Sequence, residues 1–328
     1  MKIGNIEFDD RPVFLAPMEN VTDPSFRVVC KKYGADLMYT EFINSDGLIR
    51  GAKKGLAKME ILDFERPVGI QIYGHINESM VEAAKIAEQA GPDLIDINFG
   101  CPVRKVVNRG AGSGMMKNVP RMAEMAGQIV KAVKLPVTVK TRLGWDEGSK
   151  NIVEAAERLQ NAGISALTIH GRTRSQMYAG IADWTLIGEV KNNPRMRIPV
   201  IGNGDIESPE SAKEAFDKFG VDAVMIGRGS IGCPWIFRHV KHYLLTGKKL
   251  PLLSVREKVT IAKEHLALSV ERKEERGGVM TMRRHFVQYF KGIPGFRETK
   301  IRLLTASSYE ANIKILDEIA EVFGVIVV

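Results

Sequence analysis

The chain has 328 residues, of which 45% are hydrophobic and 26% charged, a composition typical of a folded globular protein with a sizeable core. It contains no apolar run of the ~18 residues that a membrane-spanning helix needs, and its first residues lack the basic and apolar segments of a secretory signal. Three separated cysteines form neither a CxxC pair nor a disulfide framework. We therefore expect a protein of the reducing cytoplasm, with no membrane association.

Eight short apolar runs in the first 230 residues predict buried parallel strands. They lie at 13–16, 36–40, 68–73, 94–98, 136–141, 166–170, 199–202 and 222–226. Amphipathic segments of helical length separate most of them, and successive runs begin about 23 to 42 residues apart, close to the ~30 residues of a βα unit. Eight such units predict a (β/α)8 TIM barrel of the α/β class. A doubly wound open sheet is the alternative, although it usually has fewer strands.

The strand pattern ends after residue 245. Long helical patterns follow at 254–276, 280–291 and 309–323, with glycines at 277–278 and between 292 and 295 as helix breakers. We predict two domains, a barrel over 1–245 and a smaller all-helical domain over 250–328.

Basic residues are concentrated in this helical tail. The chain carries a net charge of +8, and residues 246–328 contribute 15 basic and 10 acidic side chains. Two interpretations stay open on charge alone. The tail could be a solvated helical surface with surplus lysine and arginine, or it could bind a polyanion.

Polar or conformationally special residues follow almost every predicted strand. In strand order they are Ala16, Pro17 and Met18; Gln71; Asn98 and Cys101; Lys140 and Arg142; His170 and Arg172; Asn203, Gly204 and Asp205; and Gly227 and Arg228. In an α/β barrel the chemistry lies at the carboxyl ends of the strands, so this set predicts an active site there. The glycine-rich loops at 202–205 and 227–232 favour a phosphate site, because bare backbone N–H groups approach an anion closely. The second loop also satisfies G-x-G-x-x-G, but it follows the last strand and therefore does not indicate a dinucleotide fold.

Two side chains in this set have chemistry of their own. Lys140 lies in an apolar strand and could be an ion-paired residue, a Schiff-base nucleophile or a cation beside an electron-rich ring. Cys101 lies between a glycine and a proline, and the basic residues Arg104 and Lys105 that follow favour a thiolate. The thiol could act as a nucleophile or a general acid. No HExxH or CxxC pattern or carboxylate cluster occurs, so we expect no metal.

Taken in order, these motifs resemble the tRNA-dihydrouridine synthases, most closely the bacterial B-type members. The resemblance spans about residues 10–240 and is carried by Ala16-Pro17-Met18 with Val21-Thr22-Asp23, Gln71, Asn98-x-Gly100-Cys101-Pro102, Lys140-x-Arg142, His170-x-Arg172, Asn203-Gly204-Asp205 and Gly227-Arg228-Gly229. One departure is Asn20, where the family pattern has glycine. Asparagine tolerates a left-handed backbone better than most residues, so we expect the turn to be kept.

The resemblance implies a monomeric enzyme that uses tightly bound FMN and NADPH, or NADH, to reduce uridine to 5,6-dihydrouridine in tRNA. Hydride would pass from flavin N5 to uracil C6, and Cys101 would protonate C5. The implied cofactor-binding residues are Ala16, Pro17, Met18, Gln71, Lys140, His170, Asn203, Gly204, Asp205, Gly227 and Arg228. The implied substrate-binding residues are Asn98, Arg142, Arg172 and Tyr178, with Arg283, Arg284 and Arg297 in the tail contacting tRNA.

Three other functions remain open on the residues alone. An FMN-dependent dehydrogenase acting on a free pyrimidine such as dihydroorotate would use the same barrel, but it would not need the basic tail. A Schiff-base aldolase would use Lys140 and would hold no flavin. A non-catalytic RNA-binding module would not need the full set of strand-end residues.

Overall fold

Buried parallel strands form the centre of the structure, a computed structural model that describes residues 1–327. The strands are β1 Lys2–Ile3, β2 Ile6–Glu7, β3 Val13–Leu15, β4 Met38–Tyr39, β5 Ile43–Asn44, β6 Val68–Tyr73, β7 Leu94–Asn98, β8 Val137–Arg142, β9 Ala166–His170, β10 Val200–Asn203 and β11 Ala223–Ile226. The helices are α1 Pro24–Lys32, α2 Ser45–Ile49, α3 Lys53–Ala57, α4 Asn77–Gln89, α5 Arg104–Val107, α6 Val119–Ala132, α7 Ile152–Asn161, α8 Thr185–Asn192, α9 Pro209–Phe219, α10 Ile236–Thr246, α11 Val255–Tyr289, α12 Arg297–Thr305 and α13 Tyr309–Val322.

The strands close into a barrel, which confirms the predicted fold class. Parallel pairing runs in the order β3-β11-β10-β9-β8-β7-β6-β4. Backbone hydrogen bonds of 2.9 Å from Asp36 N to Val13 O and from Leu15 N to Leu37 O join the two ends. An open doubly wound sheet would leave these ends apart, so that alternative is wrong.

The helices around the barrel follow the amphipathic pattern of the sequence. In α6 the residues Val119, Met122, Met125 and Ile129 recur at helical spacing and are buried against the sheet. The helix begins at Asn118, whose side chain accepts a hydrogen bond from the Arg121 backbone N–H, a common way to satisfy a free amide at a helix start. This arrangement leaves the carboxyl ends of the strands, and the loops after them, to form one face.

Short elements depart from the sequence-based prediction. The β1–β2 hairpin places Ile3 among Phe14, Leu94 and Ile201, which fill the barrel interior. Strand β5 pairs with β6 beside β4. Strands of two residues are too short to show an alternating pattern, so the hairpin and β5 were not predicted.

The helical tail agrees with the prediction in type but not in detail. Helix α11 is interrupted at Glu274, whose φ and ψ are 59° and 164°, three residues before the predicted glycine break. The glycines have another role. A Cβ atom on Gly278 would lie 2.5 Å from backbone atoms of Val270, so the two halves of α11 approach each other closely there. Helix α12 was not predicted because only Leu303 in it is buried.

The tail packs against α1 of the barrel. The Ser25 hydroxyl donates a 3.2 Å hydrogen bond to the Leu268 carbonyl, and the ring of Phe26 lies 4.7 Å from that of His285. Lys273 forms an ion pair with Asp23 in the loop after β3. These contacts place α11 beside the first βα loop. The exact domain bounds, 1–245 and 250–328, stay a prediction.

The close approach at Gly278 generates a stability prediction. Gly278→Ala should lower the free energy of unfolding by about 1–3 kcal/mol, because the new methyl group must displace backbone. Gly277→Ala is the matched control, since its Cβ would meet only the Cβ of Lys273 at 3.2 Å and alanine favours helix. Chemical denaturation followed by circular dichroism would measure both, and equal effects of the two substitutions would contradict this account of the helix pair.

Candidate active site

A cavity of about 450 Å³ opens at the carboxyl ends of the barrel strands. It brings together most of the strand-end residues identified in the sequence. Those that line it are Ala16, Pro17, Met18, Asn98, Cys101, Lys140, Arg142, His170, Tyr178, Asn203, Gly204, Asp205, Gly227 and Arg228. Glycine loops form part of the wall, and Pro17, Met18 and Ile231 form an apolar part. This combination suits a ligand that carries both an aromatic ring and a phosphate.

The loop after β3 is held by its own side chains. The Met18 N–H donates to the Thr22 hydroxyl at 3.0 Å, and the Asp23 carboxylate accepts from the Phe26 N–H at the start of α1. Asn20 has a φ of 57°, which confirms that asparagine keeps the left-handed turn. Its N–H donates to the Glu41 carboxylate. The backbone of residues 16–18 is therefore fixed along one wall of the cavity.

Cys101 lies in a rigid turn after β7. Its N–H and that of Gly100 both donate to the Asn98 side-chain oxygen, at 2.8 and 3.0 Å. Its carbonyl accepts a hydrogen bond from the Ser113 hydroxyl at 2.9 Å. Gly112 packs so closely that a Cβ there would lie 2.8 Å from the same carbonyl. The turn holds the thiol at the cavity wall, where it is 6% exposed.

The surroundings of Cys101 keep the thiol protonated. Burial raises its pKa above the ordinary value; the Val103 amide and the Arg142 cation oppose this rise, and Glu19 adds to it. Arg104 and Lys105, which indicated a thiolate in the sequence, begin α5 and are exposed. A neutral thiol is a poor nucleophile but a competent proton donor, so the structure favours the general acid.

Lys140 projects from β8 into the floor of the cavity. Its ammonium donates a 2.9 Å hydrogen bond to the Asn203 side-chain oxygen, and Asn203 in turn donates to the Met225 carbonyl at 2.7 Å. Burial, with the nearby Arg142, lowers the pKa of Lys140 to about 7, although Asp96 opposes the shift. Among the described residues no carboxylate forms an ion pair with Lys140. Its hydrogen-bond partner is the amide of Asn203, where the ion-pair interpretation expected an acid.

Arginines converge at the loops after β9, β10 and β11. Asp205 joins two of them, accepting from Arg172 at 2.7 Å and from Arg228 at 3.0 Å. Burial, with the cations around it, holds the pKa of His170 well below its usual value, so the imidazole is neutral. The half-exposed Arg228 lines the cavity together with Gly204.

Arg142 connects the Cys101 turn with the loop after β9. Its Nε donates to the Gly100 carbonyl at 2.7 Å, and its Nη1 donates to the carbonyls of Thr173 and Met177. The guanidinium also lies 5.7 Å from the ring of Tyr178, which is half exposed at the cavity. Nε and Nη1 of Arg142 therefore hold protein backbone, and the charge of the guanidinium acts on the cavity from the wall.

Five of the residues assigned roles in the sequence lie outside the cavity. Gln71 is buried beneath the floor, where its amide contacts Asn98 and Asp96. Arg172 is 1% exposed and donates to the carbonyls of Ala179 and Gly180. The other three are Arg283, Arg284 and Arg297 of the helical tail.

Sequence reasoning also missed part of the site. Glu19 and Phe42 line the cavity, and Lys58 of the segment after α3 contacts Glu19 at 2.6 Å. Glu19 directly follows Met18, so a wider window around that motif would have included it. Phe42 follows a strand of only two residues and gave no such signal. Asp96 was visible as the one acid inside a buried strand.

Comparison with known proteins assigns the chain to a family. The family model described as dihydrouridine synthase matches residues 14–321. This chain belongs to the dihydrouridine synthase family. A probable tRNA-dihydrouridine synthase of Rickettsia prowazekii is 39% identical over 324 residues, covering 98% of this chain and 97% of the relative. The tRNA-dihydrouridine synthase B of Pseudomonas aeruginosa is 40% identical over 298 residues, covering 91% of this chain and 89% of its own length.

Solved structures share the fold of this chain at low sequence identity. A 2-naphthoyl-CoA reductase complex matches with a TM-score of 0.58 and 13% identity, covering 74% of this chain and 51% of the other. Morphinone reductase matches with a TM-score of 0.52 and 13% identity, covering 76% and 90%. These likenesses establish the barrel architecture alone. Within residues 1–327, no helix is long and apolar enough to span a membrane, and no three His, Cys, Asp or Glu side chains group as metal ligands.

The position of Glu19 generates a prediction about thiol reactivity. Glu19→Gln removes a negative charge that raises the pKa of Cys101, so the thiolate fraction should increase. We expect alkylation of Cys101 by iodoacetamide at pH 8 to become about two- to fivefold faster, measured by peptide mass spectrometry. Glu207→Gln is the control, because Glu207 also lines the cavity but does not act on the thiol. An unchanged rate in the Glu19 variant would show that Glu19 does not raise the pKa of Cys101.

Proposed function

We propose that this protein is a tRNA-dihydrouridine synthase that uses FMN and NAD(P)H to reduce uridine to 5,6-dihydrouridine in tRNA. The observation that carries the proposal is the neutral thiol of Cys101 at the wall of a cavity with glycine-rich, cationic loops. Relatives about 40% identical over most of the chain are named as synthases of this kind. Neither observation alone would identify both the reaction and the substrate.

The charge of the cavity and its glycine loops support FMN as the cofactor. The glycine loops and Arg228 would hold the phosphate, because bare backbone N–H groups approach an anion closely and both loops line the cavity with Arg228. Pro17 and Met18 would line the ring system, and Lys140 would supply a cation beside it. His170, Asn203, Asp205, Ala16 and Gly227 complete the proposed cofactor contacts, with Gln71 supporting them from beneath the floor.

Cys101 supplies the proton in the proposed reaction. When bound and reduced by NAD(P)H, FMN would supply the hydride for C6 of the uracil. The Cys101 thiol would give its proton to C5, and the resulting thiolate would be reprotonated from solvent. A thiol whose pKa is raised by burial is protonated at neutral pH and so carries the proton that the step requires. Asn98, Arg142 and Tyr178 are the proposed contacts to the base, and Arg172 supports the loop that carries Tyr178.

A uridine in tRNA must leave its stack to enter this cavity, which costs free energy. We propose that tRNA contacts made by the helical tail offset this free energy. Flipping a base out costs a few kcal/mol, and phosphate contacts provide affinity that is independent of sequence. Arg284 and Arg297 are exposed, while Arg283 donates to the Ala306 carbonyl at 3.3 Å. Lys273 and Arg272 tie the tail to the barrel beside the first βα loop, which borders the cavity.

Product formation tests this function directly. We expect purified protein with FMN, NADPH and unmodified tRNA to form dihydrouridine, seen as the gain of two hydrogens on uridine after digestion to nucleosides. A parallel incubation with free uridine, and another with dihydroorotate and an electron acceptor in place of NADPH, should give no turnover. The reverse pattern, with turnover of the free pyrimidine and none of tRNA, would favour the dehydrogenase alternative. Borohydride trapping of a substrate on Lys140 would instead support the aldolase.

The exposed arginines generate a binding prediction. Replacing Arg284 and Arg297 together by alanine should weaken tRNA binding and lower the slope of log Kd against log salt by about one to two, because two phosphate contacts are lost. NADPH-dependent flavin reduction should not change. Lys218→Ala is the control, since Lys218 is an exposed cation in the last turn of α9 and lies outside the helical tail. An equal loss of tRNA affinity in the arginine variant and in the Lys218 variant would indicate a general effect of charge rather than a binding surface.

A further inference from the structure

Asp96 is a buried acid that the proposed chemistry does not use. It lies in the middle of β7, 1% exposed, with its side chain below the floor of the cavity. Its two oxygens accept hydrogen bonds from different strands. Oδ1 accepts from the Thr138 hydroxyl of β8, and Oδ2 accepts from Nε2 of Gln71 of β6 at 2.6 Å. Burying a carboxylate is costly, so its presence needs a reason beyond packing.

The hydrogen bonds continue from Asp96 to the Cys101 turn. Gln71 uses its side-chain oxygen to accept from Nδ2 of Asn98 at 2.8 Å. Asn98 then uses its own oxygen to accept the N–H groups of Gly100 and Cys101. We call this series of side chains, formed by Asp96, Gln71 and Asn98, the amide relay.

The relay has a direction, which the carboxylate fixes at one end and the backbone N–H groups of Gly100 and Cys101 fix at the other. A side-chain amide can point either way, because its oxygen accepts and its nitrogen donates. An ionised carboxylate only accepts, so Gln71 must turn its nitrogen towards Asp96 and its oxygen towards Asn98. Asn98 must then turn its oxygen towards the backbone of the Cys101 turn. If the relay were reversed, the Asn98 nitrogen would face two backbone N–H groups, and all three donors would lack an acceptor.

We propose that Asp96 is a positioning residue whose charge fixes the direction of the amide relay, and thereby holds the Cys101 thiol and the Asn98 donor in place. In this direction the Asn98 oxygen is occupied by backbone, so Asn98 offers a ligand only an N–H. That N–H suits a carbonyl oxygen of uracil and would be mismatched with an amino group. The inference rests on the proposed function, since it concerns the residues assigned to protonate and bind the uracil.

The protonation of Asp96 gives the relay a pH dependence. Burial raises the pKa of Asp96 to about 6, against the lowering effect of Gln71, Thr138 and Lys140. The titratable groups that face it are Lys140 on β8 and the phenol of Tyr39 on β4. Above pH 6 the carboxylate only accepts and the direction is fixed. Below pH 6 the protonated acid can also donate, so Gln71 loses its fixed acceptor and the relay is held only from the Cys101 turn.

Asp96→Asn tests the proposal with almost no change of shape. An amide at this position can either donate or accept, so Gln71 loses its fixed acceptor and the Cys101 turn should loosen. We expect iodoacetamide alkylation of Cys101 to become at least threefold faster. Reoxidation of pre-reduced flavin by tRNA should become at least tenfold slower, while flavin affinity and its reduction by NADPH stay within twofold of the original protein.

Thr138→Val is the matched control. It removes the other hydrogen-bond donor to Asp96 but leaves the carboxylate and thus the direction of the relay, so at pH 8 the alkylation rate should stay within twofold. The proposal is overturned if Asp96→Asn leaves alkylation unchanged, or if Thr138→Val has the same effect as Asp96→Asn.

The unsubstituted protein provides a second measurement if Asp96→Asn does not fold. Reoxidation of its flavin by tRNA should decline below about pH 6, while reduction by NADPH should not follow the same curve; identical curves for the two half-reactions would overturn the proposal. The alkylation assay contains no tRNA. A protein that fails to modify tRNA but shows the expected alkylation pattern would therefore refute the proposed function and leave the relay intact.

Discussion

Closure of the parallel barrel is the constraint on which the site depends. The hydrogen bonds between the segment around Asp36 and β3 complete the circle of strands. In a closed parallel barrel all strands end at the same face, so side chains far apart in sequence meet there. Asn20 of the loop after β3 and Glu41 of the segment after β4 come from the two ends of the strand order, and a hydrogen bond joins them for this reason. Without closure, the Met18 wall and Phe42 would lie at opposite ends of an open sheet.

Burial at this face determines the charge of the groups that would react. The thiol of Cys101 is kept neutral, and Lys140 is shifted towards neutrality with a pKa of about 7. The side chains of Arg142, Arg172 and Arg228 are held by backbone carbonyls or by Asp205. The cavity thus joins a proton donor to a cationic environment suited to an anionic cofactor. The flavin with a phosphate that we propose as cofactor suits this cationic environment.

Much of the fold and most of the cavity could be predicted from the sequence. The eight apolar runs correspond to the barrel strands because strands buried on both faces contain few polar residues. The strand-end residues could be predicted as a site because barrel geometry brings them together. The contacts between them could not. Nothing in the sequence indicates that Arg142 donates hydrogen bonds to the backbone of the loop after β9. Nor does it indicate that burial raises the pKa of Cys101 in spite of the basic residues that follow it.

The helical tail shows the limit of sequence patterns in another way. Glycines predicted a break at 277–278, but the chain bends at Glu274, and Gly278 is instead a point of close packing against Val270. A glycine marks a place without a side chain, and only the three-dimensional structure shows whether that place is a turn or a contact. The same ambiguity applies to Asp96, which is visible as an acid in an apolar strand although its partners on β6 and β8 are distant in sequence.

The most direct test of the account is the fate of the reduced flavin in a Cys101→Ala variant. The variant protein, reduced with NADPH under anaerobic conditions, is mixed with unmodified tRNA while flavin absorbance is followed and dihydrouridine is quantified. If Cys101 donates the proton, reduction should match the original protein, and reoxidation with product formation should be slower by about 10²-fold or more. Reoxidation at the original rate, with a full yield of dihydrouridine, would contradict the central role of the thiol.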